Sequence, residues 1–202
     1  MNLIDPLRKT KHACIRSLGR RNLRQAAASP SVTTLDKMRR RLGIQLSAEE
    51  MMLISTTIKS YQSPNLLIYG TGKDSEYWFR LNSNGRTQFL EDDVGWVEQA
   101  AEVVPHLAID SIEYDTDISD WKSLIDDKET QGSDIPKVAT EVNWDVILVD
   151  APRGHENGNP GRMKSIYQAS VLAGAGTDVF VHDCNREAVS YTHLTLPTIY
   201  SV

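Results

Sequence analysis

Apolar residues arrive along this chain in short bursts, cut off by glycine, proline or acid, and the bursts alternate between helical and strand-like periods. Met51, Met52, Ile54 and Ile58 recur at roughly helical spacing behind a Ser47-Ala48-Glu49-Glu50 capping box and ahead of a Ser63-Pro64 stop, which predicts a helix through about Tyr61. Leu66-Leu67-Ile68-Tyr69 then predicts a strand that breaks at Gly70-Thr71-Gly72-Lys73-Asp74-Ser75, with a helix-compatible Glu76–Leu81 after the turn. The turn signal Asn82–Gly85 leads to a second strand, Thr87–Leu90, closed by Glu91-Asp92-Asp93. Val94–Val104 predicts a helix stopped by Pro105, and Ile109–Tyr114 a third strand ending at Asp115. The polar stretch 117–143 reads as a surface excursion with a short helix around Trp121–Ile125. Trp144–Val149 is nearly continuous and β-branched, as in a strand covered on both faces, and it ends in Asp150-Ala151-Pro152. A glycine-rich loop, Arg153–Gly161, precedes a helix over 162–172, and Thr177–Val181 is a fifth strand ending at His182-Asp183-Cys184-Asn185-Arg186.

Strands alternating with helices predict an α/β fold, a Rossmann-like doubly wound parallel sheet whose ligands lie outside the carboxyl ends of the strands. Gly70, Glu91, Asp115, Asp150 and Asp183 all fall at such ends. Gly70 and Gly72 let the backbone turn tightly and approach a ligand, and an acid at the tip of the next strand, Glu91, can accept ribose hydroxyls. Together they predict a pocket for an adenosine-type cofactor. The dinucleotide fingerprint requires a third glycine where Ser75 stands, which argues against a nicotinamide or flavin enzyme. A phosphate loop is excluded by Leu67 in place of its first glycine and Asp74 in place of its Ser or Thr.

Composition adds three points. The 202 residues, 40% hydrophobic, suit one globular domain; Cys14 and Cys184 give neither a disulfide framework nor metal spacing. No apolar run approaches a membrane span, so the chain reads as soluble and cytoplasmic. The net charge of −5 hides an asymmetry, because residues 1–45 carry eleven Lys or Arg against Asp5 and Asp36. Residues 1–45 therefore read as a basic N-terminal arm ahead of a domain at 46–188. Either the arm is a transit peptide or a patch for an anionic polymer or membrane, or it is a solvated leader; no nucleic-acid partner is expected. Residues 189–202 contain no Asp, Glu, Lys or Arg, and Val189–Thr198 looks like a sequencing-library transposase adapter translated in one frame. That tail is expected to be non-native and outside the fold, which leaves the sheet truncated after its fifth strand, with an unpaired edge and poor solubility.

Five ordered blocks carry a family resemblance over about Leu46–Glu187. They are Leu66–Ser75, Gly85–Thr87 with Phe89–Asp92, Trp144-Asp145 with Val149–Pro152, Pro160–Met163, and Thr177–Asp183 with Asn185-Arg186. In these the chain resembles the plant glucuronoxylan 4-O-methyltransferases and the related irregular-xylem polysaccharide biosynthesis proteins. The resemblance implies a class I methyltransferase fold and methyl transfer from S-adenosylmethionine to O-4 of glucuronic acid side chains on xylan, with a divalent metal such as Mg, Mn or Co. The chain departs from the family at Lys73, where a His is usual, and at His155-Glu156-Asn157, where the loop is usually Tyr-rich; the stretch before Trp144 is shorter. The family's plant members are Golgi-anchored, which makes the Golgi the alternative compartment.

Under that resemblance Gly70 and Gly72 admit the cofactor's amino acid portion, Asp74 meets its ammonium, Glu91 its ribose, and Asp115 lies near the adenine. Asp150, Asp183 and Asn185 offer hard oxygen ligands for a divalent ion at the ends of adjacent strands, as in catechol-type methyltransferases, with helix capping as the alternative for Asp183 and Asn185. Asp150 or His182 would serve as general base without an ion. Arg153, Arg162 and Arg186 are the candidates for a uronate carboxylate on an acidic polysaccharide substrate. The alternative function is a non-catalytic nucleoside- or glycan-binding protein that scaffolds polysaccharide assembly.

Overall fold

The computed structural model describes residues 22–184 and 200–201. Six strands form one parallel sheet: β1 (Asn65–Tyr69), β2 (Arg86–Glu91), β3 (Ala108–Ser111), β4 (Val146–Val149), β5 (Asp178–Val181) and β6 (Tyr200–Ser201), in the order β3-β2-β1-β4-β5-β6. The predicted Rossmann-like α/β sheet is therefore present. Its order reverses between β1 and β4, and a sheet of this kind opens a crevice at that switch point. The sequence reading left the β5 edge bare, whereas Phe180 and Val181 pair with Tyr200 and Ser201 of the tail.

Strand residues alternate between two cores, as the twofold period of a strand requires. Leu66, Ile68, Phe89, Val146, Leu148 and Phe180 face one side, where they meet α1 (Val32–Leu42), α2 (Ala48–Ser60) and α3 (Ser75–Leu81). Leu67, Tyr69, Leu90, Ile147, Val149, Val179 and Val181 face the other, against Ile166 and Ala169 of a helix spanning Met163–Leu172. Both α1 and α2 open on capping boxes, Ser31 with Thr34 and Ser47 with Glu50. Between β2 and β3 lies α4 (Val94–Val103), capped by Asp93, and the helix after β4 is α5 (Met163–Leu172).

Part of the stretch read as a basic arm belongs to this body. Leu23, Ala26, Ala27, Leu35 and Met38 are buried in the first core beside the sheet residues. The amphipathic pattern explains it: α1 turns Leu35 and Met38 inward while Arg39, Arg40 and Arg41 crowd its last turn, where cations favour the carbonyl end of a helix. The excursion before β4 contains short helical turns at Ile118–Asp120, Trp121–Leu124, Lys128–Gly132 and Lys137–Thr140. β3 ends at Ser111, and after one further bond, from the Ile112 amide to the Glu91 carbonyl, the stretch up to Tyr114 predicted as strand runs outside the sheet.

Candidate active site

At the switch point lies a cleft of about 580 Å³, within the size range of small-molecule sites. Gly70, Gly72 and Asp74 line it from the turn after β1, Glu91 and Asp92 from the tip of β2, and Asp150 from the tip of β4. Gly70 is required on two counts. Its φ of +107° is one that side chains rarely adopt, and a Cβ there would stand 2.8 Å from Ala151 Cβ across the crevice. Ala151–Pro152 is a cis peptide. Ser75, at the position of the missing third glycine, accepts from the Gly72 amide at 2.8 Å and braces the turn.

Asp74 takes the Trp78 indole N–H at 2.8 Å. Burial above all, then the neighbouring Asp150 charge, push its carboxyl up to about 6. Glu91 is buried, and its carboxylate accepts from the Thr71 amide and hydroxyl on one oxygen and from the Asp92 and Asp93 amides on the other. Four donors of the protein's own fill the lone pairs of that carboxylate, so Glu91 ties the glycine turn to the end of β2. The more exposed carboxylate beside it in the cleft is Asp92, which the sequence reading passed over. Burial and then the charge of Glu91 push Asp92 up to about 6.

Behind Asp150 stands a compact ionic cluster. Asp150 Oδ1 meets His182 Nδ1 at 2.8 Å and the Arg162 guanidinium at 3.1 Å. Arg162 is 5% exposed; it also donates to the carbonyls of Asp150, Pro152 and His182 and pairs with Asp183 Oδ2 at 3.1 Å. For His182, burial opposes the imidazolium, but the hydrogen bond and charge of Asp150, aided by Asp183, outweigh it and raise its pKa above the ordinary value. Asp150 Oδ2 takes no bond from any described residue, and so remains the oxygen able to accept from a ligand.

The predicted residues thus divide. Gly70, Gly72, Asp74, Glu91, Asp150, Arg153 and Arg162 line the cleft, while His182 and Asp183 sit behind Asp150 and Arg162. Arg162 is fully engaged within the protein, and Arg153 is exposed at the rim, 3.2 Å from Asp93. Asp115 is drawn away from the cleft, because the buried Lys164 ammonium holds it at 2.7 Å on the α5 side. Asn185 and Arg186 lie outside the described residues. The described residues do not fit a divalent cation: the Arg162 guanidinium already bridges Asp150 and Asp183, and no group of three His, Cys, Asp or Glu among them could hold one.

Sequence reasoning missed one wall entirely. Residues 43–46, which join α1 to α2, close over the glycine turn, with Lys73 Nζ 3.1 Å from where a Cβ on Gly43 would lie. Trp78 and Trp96 complete the lining. The amphipathic period of α1 was the available signal for this packing, and it was masked by the helix's run of arginines.

The profile described as IRX15/IRX15L/GXM matches residues 49–133 and 131–194. The chain belongs to the IRX15/IRX15L/GXM family. It is 40% identical over 155 residues to glucuronoxylan 4-O-methyltransferase 2 of Arabidopsis thaliana, covering 66% of this chain and 53% of that one. It is 32% identical over 168 residues to arabinogalactan O-methyltransferase 2 and 33% identical over 168 residues to Protein IRX15-LIKE, both of Arabidopsis thaliana. Those matches cover 71% and 70% of this chain and 58% and 53% of the relatives, so the chain spans little more than half the length of the family members it matches. Among the described residues no helix is long and apolar enough to cross a membrane.

Proposed function

We propose that this IRX15/IRX15L/GXM family member is an S-adenosylmethionine-dependent O-methyltransferase acting on glucuronic acid side chains of xylan or a similar acidic polysaccharide. The observation that carries the reading is the convergence of Gly70, Gly72, Asp74, Asp92 and Asp150 on one cleft at the switch point of the sheet. Methyltransferase names among its relatives support it. Bound there, S-adenosylmethionine supplies a methyl carbon activated by a sulfonium. The turn at Gly70 admits the cofactor's backbone-hugging end, Asp74 pairs with its ammonium, and Asp92 beside Glu91 accepts from the ribose hydroxyls.

Asp150 is the proton acceptor. Its Oδ1 is fixed by His182 and Arg162, so that Oδ2 meets the acceptor hydroxyl in one orientation. As the O–C bond forms and the S–C bond breaks, the hydroxyl proton passes to Asp150, and the electron pair of the broken bond stays on sulfur. Lys73 and Arg153 at the rim are the cations available to the acceptor's carboxylate. Calorimetry with S-adenosylhomocysteine and transfer of labelled methyl to glucuronoxylan test the reading together. Binding with turnover that falls at least about 100-fold in Asp150→Asn is expected; absence of cofactor binding by the intact protein overturns the proposal.

A further inference from the structure

We propose a second glycan-binding site, at the far end of α3 from the cleft, that grips an acidic stretch of the polysaccharide away from the reacting sugar. The inference rests on the reading of the substrate as an acidic glycan. A cavity of about 720 Å³ opens between the helical residues 22–28, the end of α2 and the turn from α3 to β2. Arg24, Lys59 and Arg80 line it, and no carboxylate does, in a chain whose net charge is −5. Arg24 pairs with no carboxylate among the described residues, and Lys59 Nζ reaches only the Ala28 carbonyl, at 3.4 Å. Arg80 gives Nε to the buried Glu76 at 2.8 Å, which leaves its terminal N–H groups for a ligand.

The rest of the lining suits a sugar. Phe79, half-buried, contributes an aromatic surface, and the exposed turn residues Ser83 and Asn84 contribute a hydroxyl and an amide that can meet ring hydroxyls. Cations for carboxylates, amides for hydroxyls and an aromatic surface for the sugar ring form the chemistry that recognises a uronate-bearing chain.

The position relative to the cleft gives this cavity a function. Asp74, Ser75 and Trp78 line the cleft, whereas Phe79, Arg80 and Leu81 line the second cavity, so the two sites flank one seven-residue helix. At 1.5 Å per residue that helix is about 10 Å long, so the two sites lie within that distance of each other along its axis. A polymer that occupies the second cavity raises the local concentration of its own acceptor sugars at the cleft, and a short oligosaccharide does not.

The deciding experiment compares wild type with Arg24→Ser/Lys59→Ser, measuring KM for a long uronate-bearing xylan and for a short oligosaccharide cut from it. Affinity electrophoresis through the same xylan and its carboxyl-reduced form reads binding without catalysis. We expect the polymer KM to rise about fivefold with the oligosaccharide KM unchanged, and retardation by the acidic but not the reduced polymer to be lost. Equal changes in both KM values, no change in either, or retention of the variant by the acidic polymer overturns the proposal. So does retention by a single-stranded RNA gel with none by the acidic xylan. Asn84→Asp, which places a carboxylate in the cavity without touching the helices, should reproduce the effect and decides the matter if the double variant does not fold. Electrophoresis stands apart from cofactor binding, so failure of the methyltransferase reading would show as absent S-adenosylhomocysteine binding with polymer retention intact.

Discussion

Individual residues in the cleft are under opposed demands of stability and chemistry. Gly70→Ala forces a side chain into a φ of +107° and a Cβ to 2.8 Å from Ala151. Thermal or denaturant unfolding should show a loss of about 1–3 kcal/mol, and calorimetry no cofactor binding. Asp74 is the pH-sensitive case. With its carboxyl raised from 3.8 to about 6, Asp74 makes the folded chain hold more protons than the unfolded one between those values, so its contribution to stability falls as pH rises through that window and is flat above it; Asp92 acts with the same sign in that window, and the raised His182 extends the fall above it. Asp74→Asn should keep the Trp78 hydrogen bond, remove its share of that slope while leaving the part due to Asp92, and stabilise the protein at neutral pH by on the order of 1 kcal/mol. The same ionisation should govern cofactor affinity in wild type, which is expected to rise as pH passes 6, because an ammonium binds the carboxylate form. Titration calorimetry from pH 5 to 8 checks both signs, and an affinity flat across that range in wild type would remove Asp74 from the ammonium's partners.

At the scale of elements, strand tips were readable and the bonds made beyond them were not. The unbroken apolar runs Leu66 to Tyr69 and Val146 to Val149 mark two central strands, so the positions of Gly70 and Asp150 follow from where the runs break. Glu91 was found by the same logic, yet its four bonds to residues 71, 92 and 93 depend on how the turn folds back, which no local pattern encodes. Asp115 shows the failure most clearly. β3 stops at Ser111, and the chain then swings toward α5, where Lys164, 0% exposed, bonds Asp115 at 2.7 Å, Ser133 at 2.9 Å and Asp134 at 3.3 Å. This lysine fastens the start of the excursion and its middle to one helix. The excursion in turn supports the cleft loop, since Ile118 donates its amide to the Asn159 carbonyl and Thr116 its hydroxyl to that of Pro160. Lys164→Met should cost about 2 kcal/mol, less than breaking a fully buried pair because both carboxylates can rehydrate. Hydrogen exchange should quicken across 115–134 and at 153–161, while exchange in β1 and β4 stays slow; unchanged protection of the excursion would count against the fastening role.

For the whole molecule, the two halves of the N-terminal charge pattern have to be weighed against its apolar positions. Eleven cations in 45 residues suggested something held off the body, but Leu35 and Met38, 0% and 1% exposed, sit on the sheet face formed by Leu66, Ile68, Phe89, Val146, Leu148 and Phe180. The cations and the apolar residues occupy opposite sides of the same helix, so charge counting reported the solvent side and missed the buried one. A doubly wound sheet must be covered on both faces, and α1, α2 and α3, with the helical residues 22–28, cover one of them. Leu35→Ala should therefore destabilise by about 2–5 kcal/mol, the range for emptying a packed leucine site. Deleting residues 1–45 should do more than that, because it uncovers Leu66 and Phe89 and removes Gly43, Ile44 and Gln45 from the wall of the cleft together with Arg24 of the second cavity. The expected product is a species that aggregates or binds a hydrophobic dye and takes up no S-adenosylhomocysteine. A truncated protein that melts cooperatively at the wild-type temperature would mean that the sheet is covered without this helix pair, and the assignment of residues 22–45 to the body of the fold would then fail.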